Sequence, residues 1–176
     1  VGLVIDNSGS MASKRSEVIS AALEFVSSID RRDEMFVVNF NDDVSMPRFT
    51  DDMPFSANYG ELSNALRNIK AAGRTALYDA IAAALRRLEA GKNARKALVI
   101  LSDGGDNASS TDLEAVVNAA RNSAATLFTI GFYDSSAKDR NPKVLRQLSQ
   151  LTGGESYLPD SASELHEIWR RIADGI

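Results

Sequence analysis

The stretch VGLVIDNSGSM, residues 1–11, sets the pattern that the rest of the chain repeats. Val1, Leu3, Val4 and Ile5 surround a single glycine in a short aliphatic run, as in a strand buried on both faces. Asp6, Ser8 and Ser10 follow at alternate positions. A strand expected to end in an ordinary turn ends instead in oxygen-bearing side chains. Side chains of this kind suit a helix cap, a nucleophile site, or the corners of a metal site.

Outward from this stretch, apolar β-branched runs alternate with helical patterns. Lys14 to Ile29 reads as a helix, with Val18, Ile19, Ala22, Leu23, Val26 and Ile29 on one stripe. MFVVNF (35–40) is the next strand, and VSMPRFT (44–50) is an edge strand, because Pro47 cannot donate to a ladder. The intervening NDD (41–43) is tight enough for a hairpin, so this pair is antiparallel. A weaker helix spans Tyr59 to Ile69, and a strong one spans Ala76 to Leu88, closed by Gly91 as a C-terminal glycine. ALVILS (97–102) is the most hydrophobic strand and is expected at the centre. Thr111 is expected to cap a helix through Arg121, with Glu114 completing a capping box. TLFTIGF (126–132) is a strand, Pro142 to Leu151 a helix with proline just inside it, and ESYL (155–158) a short last strand. Ser161 caps the final helix, with Glu164 at the capping-box position. Strands alternating with helices, plus one hairpin, predict an α/β fold. Its six-stranded sheet is mostly parallel, with one antiparallel edge strand and helices on both faces. No internal repeat or linker interrupts it, so residues 1–176 are expected to form one domain. Val1 already stands within the first strand, which suggests a segment excised from a longer protein.

Bulk composition excludes several functions. A net charge of -4 argues against non-specific nucleic-acid binding, which needs a basic face. The absence of cysteine removes disulfides and thiolate metal sites. No apolar run reaches the length of a membrane span.

In an open parallel sheet, ligands bind beyond the carboxyl ends of the strands, where the strand order reverses. Two strand ends carry unusual polar clusters: Asp6-Asn7-Ser8-Gly9-Ser10, and Ser102-Asp103-Gly104-Gly105-Asp106-Asn107. Thr75, in a Gly-Arg-Thr loop before a helix, is a third candidate. The set contains oxygen donors only: hydroxyls from Ser8, Ser10 and Thr75, carboxylates from Asp6 and Asp103. Such a set suits a hard cation, Mg²⁺, Mn²⁺ or Ca²⁺. Two carboxylates balance one divalent ion. If hydroxyls and waters fill most of the inner shell, the metal stays electron-poor and favours an incoming carboxylate. That arrangement is a binding device and needs no catalytic base.

D-x-S-x-S-M after a first strand, a threonine in GRTAL and S-D-G at the end of a central strand resemble the metal-ion-dependent adhesion site of von Willebrand factor type A domains. DNSGSM…GRTALYDA…LSDGGDN is also similar to a bacterial von Willebrand factor A-related group. The resemblance covers essentially the whole chain, and the pattern maps onto Asp6, Ser8, Ser10, Thr75 and Asp103 without substitution. It implies a Rossmann-like sheet of five parallel strands and one antiparallel edge strand. It also implies direct metal contact by Ser8 and Ser10 and, in the ligand-competent state, by Thr75, with Asp6 and Asp103 acting mainly through waters. Mg²⁺ is the expected ion, and the expected partner is a protein presenting Asp or Glu. A secreted or periplasmic setting is implied by the resemblance alone.

Other readings fit less well. Ser8 or Ser10 alone would be an ordinary helix cap. A nucleophile elbow needs glycine two residues before its serine, where Ser8 has Asp6. The only histidine, His166, lies in the last helix and reads as a surface residue rather than a base. Asp103 to Glu114 has the length of an EF-hand loop, but Gly105 and Ala108 occupy positions that need an acid and the sharp-turn glycine. No phosphate-binding loop motif is present. Asp79 reads as exposed or locally hydrogen-bonded, Asp106 as a turn acid, and Arg74 as an exposed loop residue. The turn Asn41-Asp42-Asp43 is compatible with either end of the sheet. The expected function is therefore a cation-dependent protein-binding module and not an enzyme. A structural domain with a merely stabilising metal is the alternative, and a metal-dependent hydrolase ranks last for want of a base.

Overall fold

A computed structural model describes residues 1–28, 30, 32–68, 70–133 and 140–176. Its elements run β1 (Gly2–Asp6), α1 (Arg15–Ser28), β2 (Phe36–Phe40), β3 (Val44–Ser45), α2 (Tyr59–Arg67), α3 (Leu77–Glu89), β4 (Lys96–Leu101), α4 (Leu113–Asn122), β5 (Ala125–Ile130), α5 (Pro142–Leu151), β6 (Ser156–Tyr157) and α6 (Ala162–Gly175). The six strands form one sheet in the order β3-β2-β1-β4-β5-β6. All pairings are parallel except β2 with β3, where Asn39 faces Ser45 and Phe40 faces Val44. This is the predicted mostly parallel sheet with one antiparallel edge.

Both faces of the sheet are covered, and alternation along each strand shows how. On β1, Leu3 and Ile5 join a core with α1, α2 and α6, while Val4 joins a second core with α3, α4 and α5. On β4, Val99 and Leu101 face the first core, and Leu98 and Ile100 face the second. The β1 side chains of Leu3, Val4 and Ile5 are wholly buried, which explains an aliphatic run with no polar alternation. Gly2 has no room for a side chain: a Cβ there would lie 2.4 Å from Phe36 and 2.5 Å from Leu98. On the first face, Trp169 of α6 packs on Phe25 of α1 with ring centroids 4.9 Å apart. Among the described residues, no helix is long and apolar enough to cross a membrane.

Several boundaries and caps differ from expectation. The edge strand shrinks from seven residues to Val44–Ser45, because Pro47 offers no N–H and a one-turn 3₁₀ helix occupies Thr50–Asp52. Thr111 does not cap α4. Asp112 does, accepting from Ala115 N–H at 2.8 Å, so the predicted box with Glu114 does not form. A carboxylate one residue nearer the helix also suits the N-terminal dipole. Gly91 ends α3 without a positive φ; its N–H donates to Leu88 O at 3.1 Å. Ser161 caps α6 as predicted, accepting from Glu164 N–H at 3.1 Å, and Glu164 reaches back to Asp160 N–H at 2.8 Å. The expected ends of two helices, Ile29 and Ile69, lie outside the described residues.

Candidate metal centre

The sheet order places β1 beside β4, with the chain leaving β1 toward β2 on the opposite side. The strand order reverses between β1 and β4, and at their carboxyl ends Asp6 terminates β1 while Asp103 follows β4. Asp6, Ser8, Thr75 and Asp103 are all buried, and Ser10 is exposed.

Four of the five predicted residues form one hydrogen-bonded chain. Asp6 Oδ1 accepts from Ser8 N–H at 2.8 Å. The Ser8 and Ser10 hydroxyls lie 3.0 Å apart, and Ser10 Oγ donates to Asp103 Oδ2 at 2.7 Å. Ser8 stands at the N-cap position of a 3₁₀ turn, Gly9–Met11, yet its side chain makes no capping bond. The hydroxyls of Ser8 and Ser10 are thus directed at each other and at a carboxylate. Ser102, part of the second polar cluster but not of the predicted ligand set, donates to Asp6 Oδ2 at 2.6 Å and accepts from Gly104 N–H at 3.1 Å. Gly105 N–H donates to Asp103 Oδ1 at 2.9 Å.

Burial is the largest influence on the Asp6 carboxyl and pushes it up to about 6. Hydrogen bonds from Ser102 and Ser8 oppose that shift, and the Asp103 charge adds to it. Two buried carboxylates in mutual repulsion are the electrostatic setting in which a cation is favourable.

Thr75 comes from a separate loop that is tied to both others. Its N–H donates to Asn107 Oδ1 at 2.8 Å, and its carbonyl accepts from Asn107 N–H at 3.0 Å and Ala108 N–H at 3.1 Å. Two residues earlier, Gly73 O accepts from Gly9 N–H at 3.0 Å. No group of three or more acidic, imidazole or thiol side chains converges among the described residues. The donor set of three hydroxyls and two carboxylates fits a hard divalent cation.

The neighbouring polar residues have structural partners. Asp106 accepts from Tyr78 N–H at 2.9 Å and from Ser109 Oγ at 2.6 Å, capping α3, whose N-cap residue Ala76 has no side-chain acceptor. Asp79 is neither exposed nor local in its bonding: it accepts from Ser110 and Thr111 N–H at 2.8 and 2.9 Å. Asn41, Asp42 and Asp43 lie at the site end of the sheet, where Asp42 accepts from Arg74 N–H and Nε, each at 3.0 Å. Arg74 is therefore paired, though exposed. His166 Nδ1 lies 2.5 Å from Glu24 Oε2 on α1 and is paired there. Gly104 turns the loop with φ +82°, and Gly105 serves through its N–H.

Comparison with known proteins agrees with this architecture. A protein of Synechocystis sp. described as uncharacterized protein sll0103 is 28% identical over 182 residues, covering 98% of this chain and 41% of the relative. The chain therefore spans about two fifths of that protein's length. The structure of a von Willebrand factor type A protein from Catenulispora acidiphila superposes with a TM-score of 0.82 at 22% identity, covering 98% of this chain and 41% of that one. The open conformation of the pilus adhesin SpaC from Lactobacillus rhamnosus GG gives 0.73 at 16% identity, covering 99% of this chain and 30% of the adhesin. The family model for the von Willebrand factor type A domain matches residues 1–171. Such domains generally mediate protein–protein interaction or adhesion. This chain belongs to the von Willebrand factor type A domain family.

Proposed function

We propose that this domain binds a protein partner through a divalent cation, Mg²⁺ in the first instance, held at the carboxyl ends of β1 and β4. Ser8, Ser10 and Thr75 would supply neutral ligands, and Asp6 and Asp103 the charge, mainly through waters. The cation supplies a Lewis-acidic centre that accepts an Asp or Glu carboxylate from the partner. The single observation that carries this reading is the continuous chain Asp6–Ser8–Ser10–Asp103, with contacts of 2.8, 3.0 and 2.7 Å. It joins the two buried carboxylates through the Ser8 N–H and the Ser8 and Ser10 hydroxyls. Binding to the folded state alone stabilises it by about 2.7 kcal/mol at a hundredfold excess over Kd. Thermal midpoints should therefore rise when EDTA is replaced by millimolar Mg²⁺ or Mn²⁺, and Asp6→Ala should abolish the rise. Coincident midpoints together with no retained metal would refute the proposal. Capture of an acidic protein partner that survives EDTA would restrict the cation to a stabilising role.

A further inference from the structure

Beneath the oxygen cluster lies a set of buried polar side chains that contribute no oxygen to it. Asn7, between Asp6 and Ser8, and Asn39 on β2 are both wholly buried. Buried amides need their full complement of partners. Arg15 Nη1 donates to Asn7 Oδ1, and Arg15 Nη2 donates to Arg67 O at 3.2 Å. A guanidinium can only donate, so Asn7 Oδ1 is fixed as the acceptor. Asn7 Nδ2 then donates to Asn39 Oδ1 and to Ile5 O, each at 3.0 Å. Asn39 Nδ2 is left to donate to Ala65 O at 2.8 Å. Each assignment forces the next, and the series ends on carbonyls in the last turn of α2.

Those carbonyls are the groups a helix leaves without internal partners, and a cation beside them is favoured by the helix dipole. From Arg67 the chain runs directly to the loop that carries Thr75. That returning chain is bonded again to the first loop: Ala72 N–H donates to Asn7 O at 2.9 Å, and Gly9 N–H to Gly73 O at 3.0 Å. Arg15 thus touches both ends of the arrangement that spaces Ser8 and Ser10 from Thr75.

We infer that Arg15 is a positioning residue of the cation site, clamping the Asn7 loop to the C-terminus of α2 and so setting the separation between the Ser8–Ser10 and Thr75 loops; this rests on the cation reading above. Its role requires two diverging N–H donors on one planar group, which lysine does not have.

Isothermal titration calorimetry with Mg²⁺ alone tests the inference on four chains: wild type, Arg15→Ala, Arg15→Lys and Val117→Ala. Val117 is a buried residue of α4 on the opposite face of the sheet and serves as a purely structural control. Loss of a supporting partner around a metal typically costs about 10–100-fold in affinity, and Arg15→Ala should fall in that range. Arg15→Lys should fold and still bind more weakly than wild type. Val117→Ala should lower the melting temperature and leave the Mg²⁺ affinity unchanged. Wild-type affinity in both Arg15 variants overturns the inference. So does a loss in Val117→Ala equal to that in Arg15→Ala, because affinity would then merely follow stability. A wild-type chain that takes up no Mg²⁺ overturns the cation reading and this inference together. Uptake by wild type with undiminished Arg15 variants overturns the inference alone.

Discussion

Gly104→Ala is the substitution for which the structure supports the fullest energetic argument. Gly104 has φ +82°, a left-handed conformation that costs an L-residue roughly 1–2 kcal/mol. A Cβ at this position would also stand 2.3 Å from Asn141 O and 2.8 Å from Asn141 C, which are backbone atoms that cannot rotate away. Either the loop or the start of α5 must move. The movement strains the bond from Asn141 N–H to Asp103 O, now 2.9 Å, whose loss adds about 0.5–1.5 kcal/mol. The sum is about 1.5–3.5 kcal/mol, or a fall in Tm of about 3–14 °C for a domain of this size. Gly153→Ala isolates the first, conformational effect, since Gly153 has φ +74° but nothing within 4 Å of an added Cβ. It should lose only the conformational part, roughly 1–2 kcal/mol. Urea denaturation in EDTA measures both variants, and Mg²⁺ titration follows. Gly104→Ala should lose more stability than Gly153→Ala and should also lose its Mg²⁺ response, because Asp103 is displaced. Equal losses with both Mg²⁺ responses intact would refute the close approach of Asn141 and its connection to the site.

Other consequences are testable in the same way. Asp106→Ala removes the acceptor for Tyr78 N–H at the start of α3 and should cost about 0.5–2 kcal/mol by chemical denaturation. Ser102→Ala deletes the hydroxyl that meets Asp6 Oδ2 at 2.6 Å and should weaken Mg²⁺ binding about 10–100-fold by calorimetry. Leu98→Ala, at a wholly buried position on β4, should cost about 2–5 kcal/mol without changing the metal's stoichiometry. Glu24 is held below its ordinary value of 4.5, chiefly by its hydrogen bond with His166 and also by Arg170. A depressed carboxyl contributes stability that is complete above pH 4.5 and lost as pH falls through the lower folded value. Glu24→Gln should therefore be less stable than wild type at pH 7, with the difference disappearing below pH 4.5; a difference independent of pH from 3 to 7 would contradict the contact.

The site was legible as residue types but not as contacts. Asp6, Ser8 and Ser10 are adjacent in the chain, and their oxygen-only chemistry was evident there. Asp103 lies 93 residues from Ser10 and was associated with it only by motif order. Ser102 stood in the second polar cluster and in S-D-G, but its bond to Asp6 was not legible, because that requires β4 to lie against β1. Arg15, Asn7 and Asn39 were missed for a similar reason. An arginine in the first turn of a helix, an asparagine just after a strand and another within one give no sign of this network until the fold brings them together.

From its sequence alone, the chain determined which segments become strands and helices, since periodicity and aliphatic runs are local properties. It also determined that the oxygen donors fall at strand ends, because each cluster directly follows its hydrophobic run. Tertiary structure decided the strand order, the end of the sheet at which Asn41–Asp43 lies, and the choice of Asp112 over Thr111 as the cap. It also turned Asp79, expected to be exposed or locally bonded, and Asp106, expected to be a turn acid, into braces between α3 and the loop before α4. Those outcomes depend on which backbone N–H groups are brought within hydrogen-bond reach, a distance that only packing of the sheet against both helical layers can set.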